Sequence, residues 1–208
     1  MQRWIVPFVI VVALITASVS ANTDEGVGRV TRIQKSAVAI QDAMPRALNV
    51  GTEIFKGDVI STGIGARLEV TLNDKSTFTL GERTHFVVEE FLAGNADNNI
   101  VLRMLQGAFS ATSGELMKTA NASMTIETPA ATIGIRGTTV WGGNIDGAFN
   151  VALISGKGAY VKTPKGFVEL DKPGQGTTID TRLERPAKPV NWPQAKLKKA
   201  HDITGFTN

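Results

Sequence analysis

The sequence predicts an all-β fold of stacked short strands, β-solenoid-like or sandwich-like, in a single domain that ends in a short helical tail. Three observations predict it. Apolar and polar residues alternate with period two through most of residues 27–180, turn-forming residues recur about every 8 to 12 positions, and no helical pattern comes between them. That spacing suits a sandwich, barrel or solenoid.

The chain opens on Arg3 and an apolar run, WIVPFVIVVALITA at residues 4–17, followed by the small residues Ser18, Ser20 and Ala21. This is the layout of a secretory signal peptide, residues 1–21, with the cut after Ser20 or Ala21. The alternative is an uncleaved anchor, because about 20 apolar residues can cross a bilayer. Thr16, Ser18, Ser20, Asn22 and Thr23 count against the anchor. An exported chain can form disulfides, but this one has no cysteine, so it must fold on its core alone. Its length is sufficient, since a chain of this size buries about 70% of its unfolded surface.

Residues 22–182 carry the strand pattern. Leu68, Val70 and Leu72 alternate with Glu69 and Thr71, the NDKS stretch at 73–76 turns, and Phe78 and Leu80 alternate with Thr77 and Thr79. That is a hairpin. FVVEEF at 86–91 and IVLRML at 100–105 follow, separated by the polar break GNADNN at 94–99. Further strands are expected at 123–127, 132–141, 149–154, 159–162, 167–170 and 177–179, with GGNIDG at 142–147 read as a turn. The segment 113–121 fits a helical turn or a loop. Phe78, Phe86, Phe91, Phe109, Phe149 and Phe167 fall in phase with the alternation and are expected in the core.

Residues 183–208 read as a proline-rich basic tail: an extended linker, RPAKPVNWP at 185–193, then a short helix over 193–200. From Thr181 onward six basic residues stand against two acidic ones, +4, although the whole chain carries only +3. The tail is expected to be a mobile, solvated end, removable after Arg185 at little cost, that can touch anionic membrane or wall polymer. Nucleic acid is excluded as a partner, since the body has no basic face interleaved with aromatics.

The stretch TPAATIGIRGT at 128–138 places one arginine among isoleucines and glycines. Ile133 and Ile135 should face one side of a strand, Gly134 and Arg136 the other. A glycine inside a strand marks a bulge or the close approach of another backbone. Arg136 is then either a binding group or a structural peg whose five donors tie carbonyls or a carboxylate together where strands change course. Thr128, Pro129, Arg136, Gly137, Thr138 and Trp141 form the candidate motif. Trp141, at an expected strand end beside two glycines, is a candidate contact surface.

Thr128-Pro129 followed by Ile135-Arg-Gly-Thr138 resembles the signature of the FecR protein family. Gly51, GDVISTG at 57–63, ARLEV at 66–70, DKS at 74–76 and Gly107 extend the likeness upstream, and Val151 to Gly156, Tyr160-Val161, Val168-Glu-Leu170 and Pro173-Gly174 extend it downstream, over about residues 27–176. The resemblance implies a periplasmic, non-catalytic all-β domain that binds an envelope protein or senses a signal. It also implies a departure, because the iron-citrate regulators of that family carry a cytoplasmic segment that handles a sigma factor, and here Met1 to Arg3 alone precede the apolar run. A cell-envelope structural or glycan-binding role is the alternative.

No catalytic residues, cofactor or metal are expected. The two histidines, His85 and His201, are far apart in sequence, and neither lies beside a candidate nucleophile. Glu89 and Glu90 point to opposite faces of a strand. Asp97-Asn-Asn99 and Asn144-Ile-Asp146 offer oxygen ligands without the count of a dedicated calcium site. The glycines at 63, 65, 134 and 137 precede strand patterns, not the helix a phosphate loop opens.

Overall fold

The computed structural model describes residues 26–93, 98–119 and 121–207. The expected signal peptide at 1–21 and the centre of the polar break at 94–97, with Asp97, lie outside the described residues. Among these described residues eighteen strands follow the period-two reading, and one α-helix comes after them. In chain order the strands are β1 (Gly26–Gln34), β2 (Ala37–Gln41), β3 (Met44–Ala47), β4 (Glu53–Phe55), β5 (Val59–Thr62), β6 (Arg67–Leu72), β7 (Thr77–Leu80), β8 (His85–Leu92) and β9 (Asn98–Gln106). They continue with β10 (Phe109–Thr112), β11 (Ala122–Glu127), β12 (Thr132–Ile135), β13 (Thr138–Ile145), β14 (Ala148–Gly156), β15 (Ala159–Thr163), β16 (Gly166–Leu170), β17 (Gln175–Ile179) and β18 (Val190–Asn191), and the helix α1 spans Gln194–Thr204.

These strands make two nine-stranded sheets. Sheet A runs β18-β17-β14-β13-β10-β7-β6-β1-β4 and sheet B runs β16-β15-β12-β11-β9-β8-β5-β2-β3. The chain crosses from one sheet to the other every strand or two, and both sheets grow in the same direction as it does so. The fold is therefore a sandwich in its layers and solenoid-like in its winding. One full circuit is visible where β9 crosses to β10 and returns through a 3-10 turn (Leu116–Lys118) to β11, which pairs with β9 in parallel register, Leu102 beside Ile126.

The alternation fills the space between the sheets. Leu68, Val70, Phe78, Leu80, Phe109 and Val151 of sheet A meet Ile60, Phe86, Ile100, Met124, Ile126 and Ile133 of sheet B, all at most 1% exposed. Phe78 and Phe86 stack across the layers at 4.8 Å. Of the phenylalanines expected inside, Phe78, Phe86, Phe109 and Phe149 are buried, Phe91 is half-buried, and Phe167 is exposed on the outer side of β16.

The tail departs from the expectation of a mobile end. After β18 pairs with β17, Gly176 beside Val190, the chain returns across the outer face of sheet A like a strap. Trp192 lies on Gly176, where a side chain would collide with its indole, and meets Trp141 edge-on at 6.2 Å. Trp192, Ala200, Trp141, Ile145, Ala152 and Ala108 form a second apolar cluster, with Leu197 and Ile203 at its margin. Further along, Arg67 Nη2 donates to the Asp202 carbonyl, Arg32 stacks on Phe206 at 4.0 Å, and the Thr207 N–H donates to Gln34 Oε1 at 3.0 Å. The strap thus runs from the last strands back to β1. Short pairing and a sparse apolar pattern hid this in the sequence.

The tail lysines are engaged in the same packing. Lys196 Nζ reaches Asn150 Oδ1 at 2.8 Å, Lys198 pairs with Asp202, and Lys199 Nζ donates to Asp146 Oδ1 at 2.6 Å. The Lys199 hydrogen bond and charge hold the Asp146 carboxyl below its ordinary value. A depressed folded-state pKa contributes stability that is present above the unfolded value of about 3.9 and is lost as pH falls through the folded pKa. Asp146→Asn should therefore flatten a small part of the acid dependence of melting below about pH 5. An unchanged slope in that variant would show that the contact contributes nothing.

Candidate functional site

The TPAATIGIRGT stretch turns out to hold two corners joined by one short strand. Thr128 makes the first. Its Oγ1 accepts from the N–H groups of Ala130 and Ala131 at 3.2 and 2.9 Å and donates to the Ala131 carbonyl at 2.8 Å, closing a turn around the exposed Pro129. β12 follows, with Ile133 and Ile135 in the core as expected. The second corner is Arg136-Gly137, where the chain leaves sheet B and enters sheet A as β13. The expected single strand over 132–141 is thus two strands in different layers. Gly137 has φ +61, the left-handed region in which a β-branched residue is strained.

The peg at this corner is Thr138, not Arg136. Thr138 is 3% exposed, and its Oγ1 lies 2.9 Å from the Arg136 carbonyl and 2.8 Å from the Gly158 carbonyl, while its N–H donates to Ser113 Oγ at 2.9 Å. The Lys157 N–H adds a bond to the Gly137 carbonyl at 3.4 Å. Arg136 itself is exposed and makes one long contact, Nη2 to the Thr119 carbonyl at 3.4 Å. Arg136→Ala should therefore move the thermal midpoint little, within about 0.5 kcal/mol of wild type. A loss of 1 kcal/mol or more, by about the worth of a hydrogen bond to a charged group, would restore the peg.

Trp141 lies elsewhere. It faces outward from sheet A, 1% exposed beneath the strap, so it is not an open contact surface. β13 continues through Gly142 and Gly143 because side chains there would collide with the Phe109 ring and with Ala108, and the turn falls at Asp146-Gly147 instead. The six motif residues are not one site: Thr128 and Pro129 sit at one end of β12, Arg136, Gly137 and Thr138 at the other, and Trp141 on the opposite sheet.

What gathers around Arg136 is a groove on the outer face of sheet B, about 350 Å³ in volume. The register places Gly134 between Thr125 and Tyr160, and Tyr160 beside Glu169. The Tyr160 ring lies across Gly134, where any side chain would collide with it, and stays 42% exposed. Arg136 lines it from the end of β12, Lys157 from the turn before β15, and Glu169 and Asp171 from β16 and the residue after it, with Met124 and Leu170. A second groove of about 400 Å³ adjoins it through Arg136, Lys157 and Gly158 and adds Lys118. Sequence reading missed Tyr160, although its phase shows it: Ala159, Val161 and Thr163 point inward, which leaves the chain's one tyrosine outward.

Several carboxylates have structural partners. Asp58, fully buried, accepts the Phe55 N–H at 2.8 Å and Arg46 Nη2 at 2.6 Å. Glu89 and Glu127 both pair with Arg103. His85 is half-buried on β8 and His201 exposed on α1. Among the described residues no group of three or more His, Cys, Asp or Glu is placed to hold a metal, and no helix is long and apolar enough to cross a membrane.

Comparison with known proteins agrees with this architecture. The model of the FecR protein family matches residues 58–157, a narrower span than the motifs suggested. No curated protein matches the chain by sequence. Two crystal structures of a "putative anti-sigma factor" from Parabacteroides distasonis ATCC 8503 are similar, each with TM-score 0.53 and 16% identity, covering 66% of this chain and 61% of that chain. The likeness is one of fold, and it spans less than two thirds of that neighbour's length.

Proposed function

We propose, from the match of residues 58–157 to the model of the FecR protein family, that this chain is a non-catalytic periplasmic protein that binds a partner protein in envelope sensing or signalling, through the outer face of sheet B. One observation carries the reading, the inequality of the two outer faces. The strap covers the apolar outer face of sheet A. Among the described residues the outer face of sheet B stays open, with Leu105, Tyr160 and Phe167 exposed at 49, 42 and 52% and Tyr160 lining the Arg136 groove. Exposed aromatic residues on a rigid sheet, next to a groove with charged walls, suit protein recognition. The sheet edges suit it less: β3 carries Pro45, β4 and β18 are short, and Arg185 Nη2 bonds the Phe167 carbonyl of β16. The anti-sigma description of the structural neighbours supports a place in signalling. The apolar N-terminal run supports export, and the mature chain is expected to begin at Ala21 or Asn22.

The test places a photo-crosslinking residue at position 160 or at position 198, on the exposed side of α1, and irradiates each protein in envelope extract. The expected result is one adduct from position 160, displaced by excess unlabelled chain, and none from position 198. Adducts that ignore position, or cannot be saturated, would overturn the proposal. Tyr160 also favours a second reading, since an exposed ring can stack on a sugar. Saturable binding to insoluble peptidoglycan, lost in Tyr160→Ala, would move the assignment to a glycan. Tail contact with anionic membrane or wall has less support, because Lys196, Lys198 and Lys199 are already engaged.

A further inference from the structure

Resting on the reading that a partner protein docks on the open face of sheet B, we infer that the groove at Arg136 takes an extended segment of that partner in which an Asp or Glu lies close to apolar or basic residues. Three cations reach this region from three separate loops: Lys118 from the 3-10 turn, Arg136 from the corner between the sheets, and Lys157 from the turn after β14. Among the described residues none of them forms an ion pair with a carboxylate, and the nearby Glu115 is held by Lys75 at 2.6 Å. Four of the five guanidinium donors of Arg136 remain available, a planar set that matches a carboxylate.

The backbone beneath these cations is held in place. Thr138 ties the Arg136 corner to the Lys157 turn through the two carbonyls it reaches, and Ser113 fixes it from below. Such a scaffold presents the charges with little ordering left to do on binding, which is how a small groove gains affinity.

The carboxylates of the groove decide the class of ligand. Glu169 and Asp171 line the same groove, so it carries both signs of charge. A uniform polyanion, whether lipid surface, wall polymer or nucleic acid, meets repulsion there. A peptide that sets a carboxylate against Arg136 and Lys157, an apolar or cationic side chain on the Tyr160 ring, and no negative charge against Glu169 meets none.

The experiment selects from a displayed library of random heptapeptides on the purified full-length chain, then measures a synthetic copy of the most enriched peptide. Selected peptides should carry Asp or Glu together with apolar or basic residues, and polyglutamate should fail to compete. Arg136→Glu with Lys157→Glu should lower affinity for the synthetic peptide by at least roughly tenfold while melting as wild type does. Glu169→Lys should shift the selected peptides toward a second acidic residue. If the double variant is unstable, Arg136→Gln with Lys157→Gln replaces it. No enrichment, enrichment without acidic residues, an acid preference that survives the double variant, or competition by polyglutamate would each overturn the inference. A position-160 adduct obtained alongside any of these would leave the docking face standing and remove only its proposed ligand.

Discussion

Truncating the chain after Arg185 should leave a body that precipitates or melts far below the full chain. The lost segment supplies β18 and buried residues of the strap, among them Trp192 at 6%, Thr204 at 3% and Ala200 at 0% exposure. Removing a buried tryptophan side chain alone costs about 3 to 5 kcal/mol, against a net stability of about 5 to 15 kcal/mol for a typical domain. Truncation does more, because it bares Trp141, Ile145 and Ala152 as one apolar patch on sheet A. It also takes Lys196 from Asn150, although Thr178 Oγ1 still donates to that amide oxygen at 2.9 Å. Trp192→Ala should reproduce most of the loss, and Gly176→Val a large part of it by displacing the indole. Thermal melts of the three proteins, with the amount remaining soluble after heating, check this. A truncated body that melts within a few degrees of the full chain would make the strap a passenger.

The strand pattern was legible because the sandwich is filled by single residues at alternate positions. Leu68, Val70 and Leu72 need no long-range information to be read as one inward face, and the NDKS turn needs none either. The layers were not legible in the same way. Ile133 and Ile135 in β12 and Val140 in β13 all point into one core, so inward phase alone does not reveal that the chain changes sheet at Arg136-Gly137. Gly142 and Gly143 misled for a related reason: adjacent glycines mark a turn locally, yet here they admit the Phe109 ring and Ala108, partners distant in sequence. The strap is the strongest case. A linker of prolines and lysines has no amphipathic stripe, and its place depends on Trp192 finding Gly176.

The site divides similarly. Arg136 was singled out by its setting, a lone arginine between glycines, and it does mark the groove. Its role could not be read, since a guanidinium that ties carbonyls and one that faces solvent have the same neighbours in sequence. Tyr160 was legible in phase but not in position, because only the register of β12 against β15 sets it over Gly134. Lys118 and Lys157 come from loops whose convergence follows from the crossing between sheets.

That crossing yields the last prediction. Gly156→Ala should cost roughly 3 kcal/mol or more and should also weaken the groove. Gly156 has φ +103, outside the regions an L-residue occupies without strain, and a side chain there would collide with the Gly137 carbonyl and the Thr138 backbone. Neither partner can move aside: Gly137 is held by the Lys157 N–H and Thr138 by Ser113 and Gly158. Relieving the collision means opening the seam between the Arg136 corner and the Lys157 turn, the two loops that present the cations. Thr138→Val should act on the same seam more gently, by about 1 to 3 kcal/mol, because it leaves the Gly158 N–H and two carbonyls short of a partner without adding bulk. Arg136→Ala should leave the melt in place and lose the ligand. Melting temperature and peptide affinity measured together separate the three. Gly156→Ala and Thr138→Val should move both, Arg136→Ala affinity alone, and a Gly156→Ala protein that melts as wild type does would mean that the seam is not closed as described.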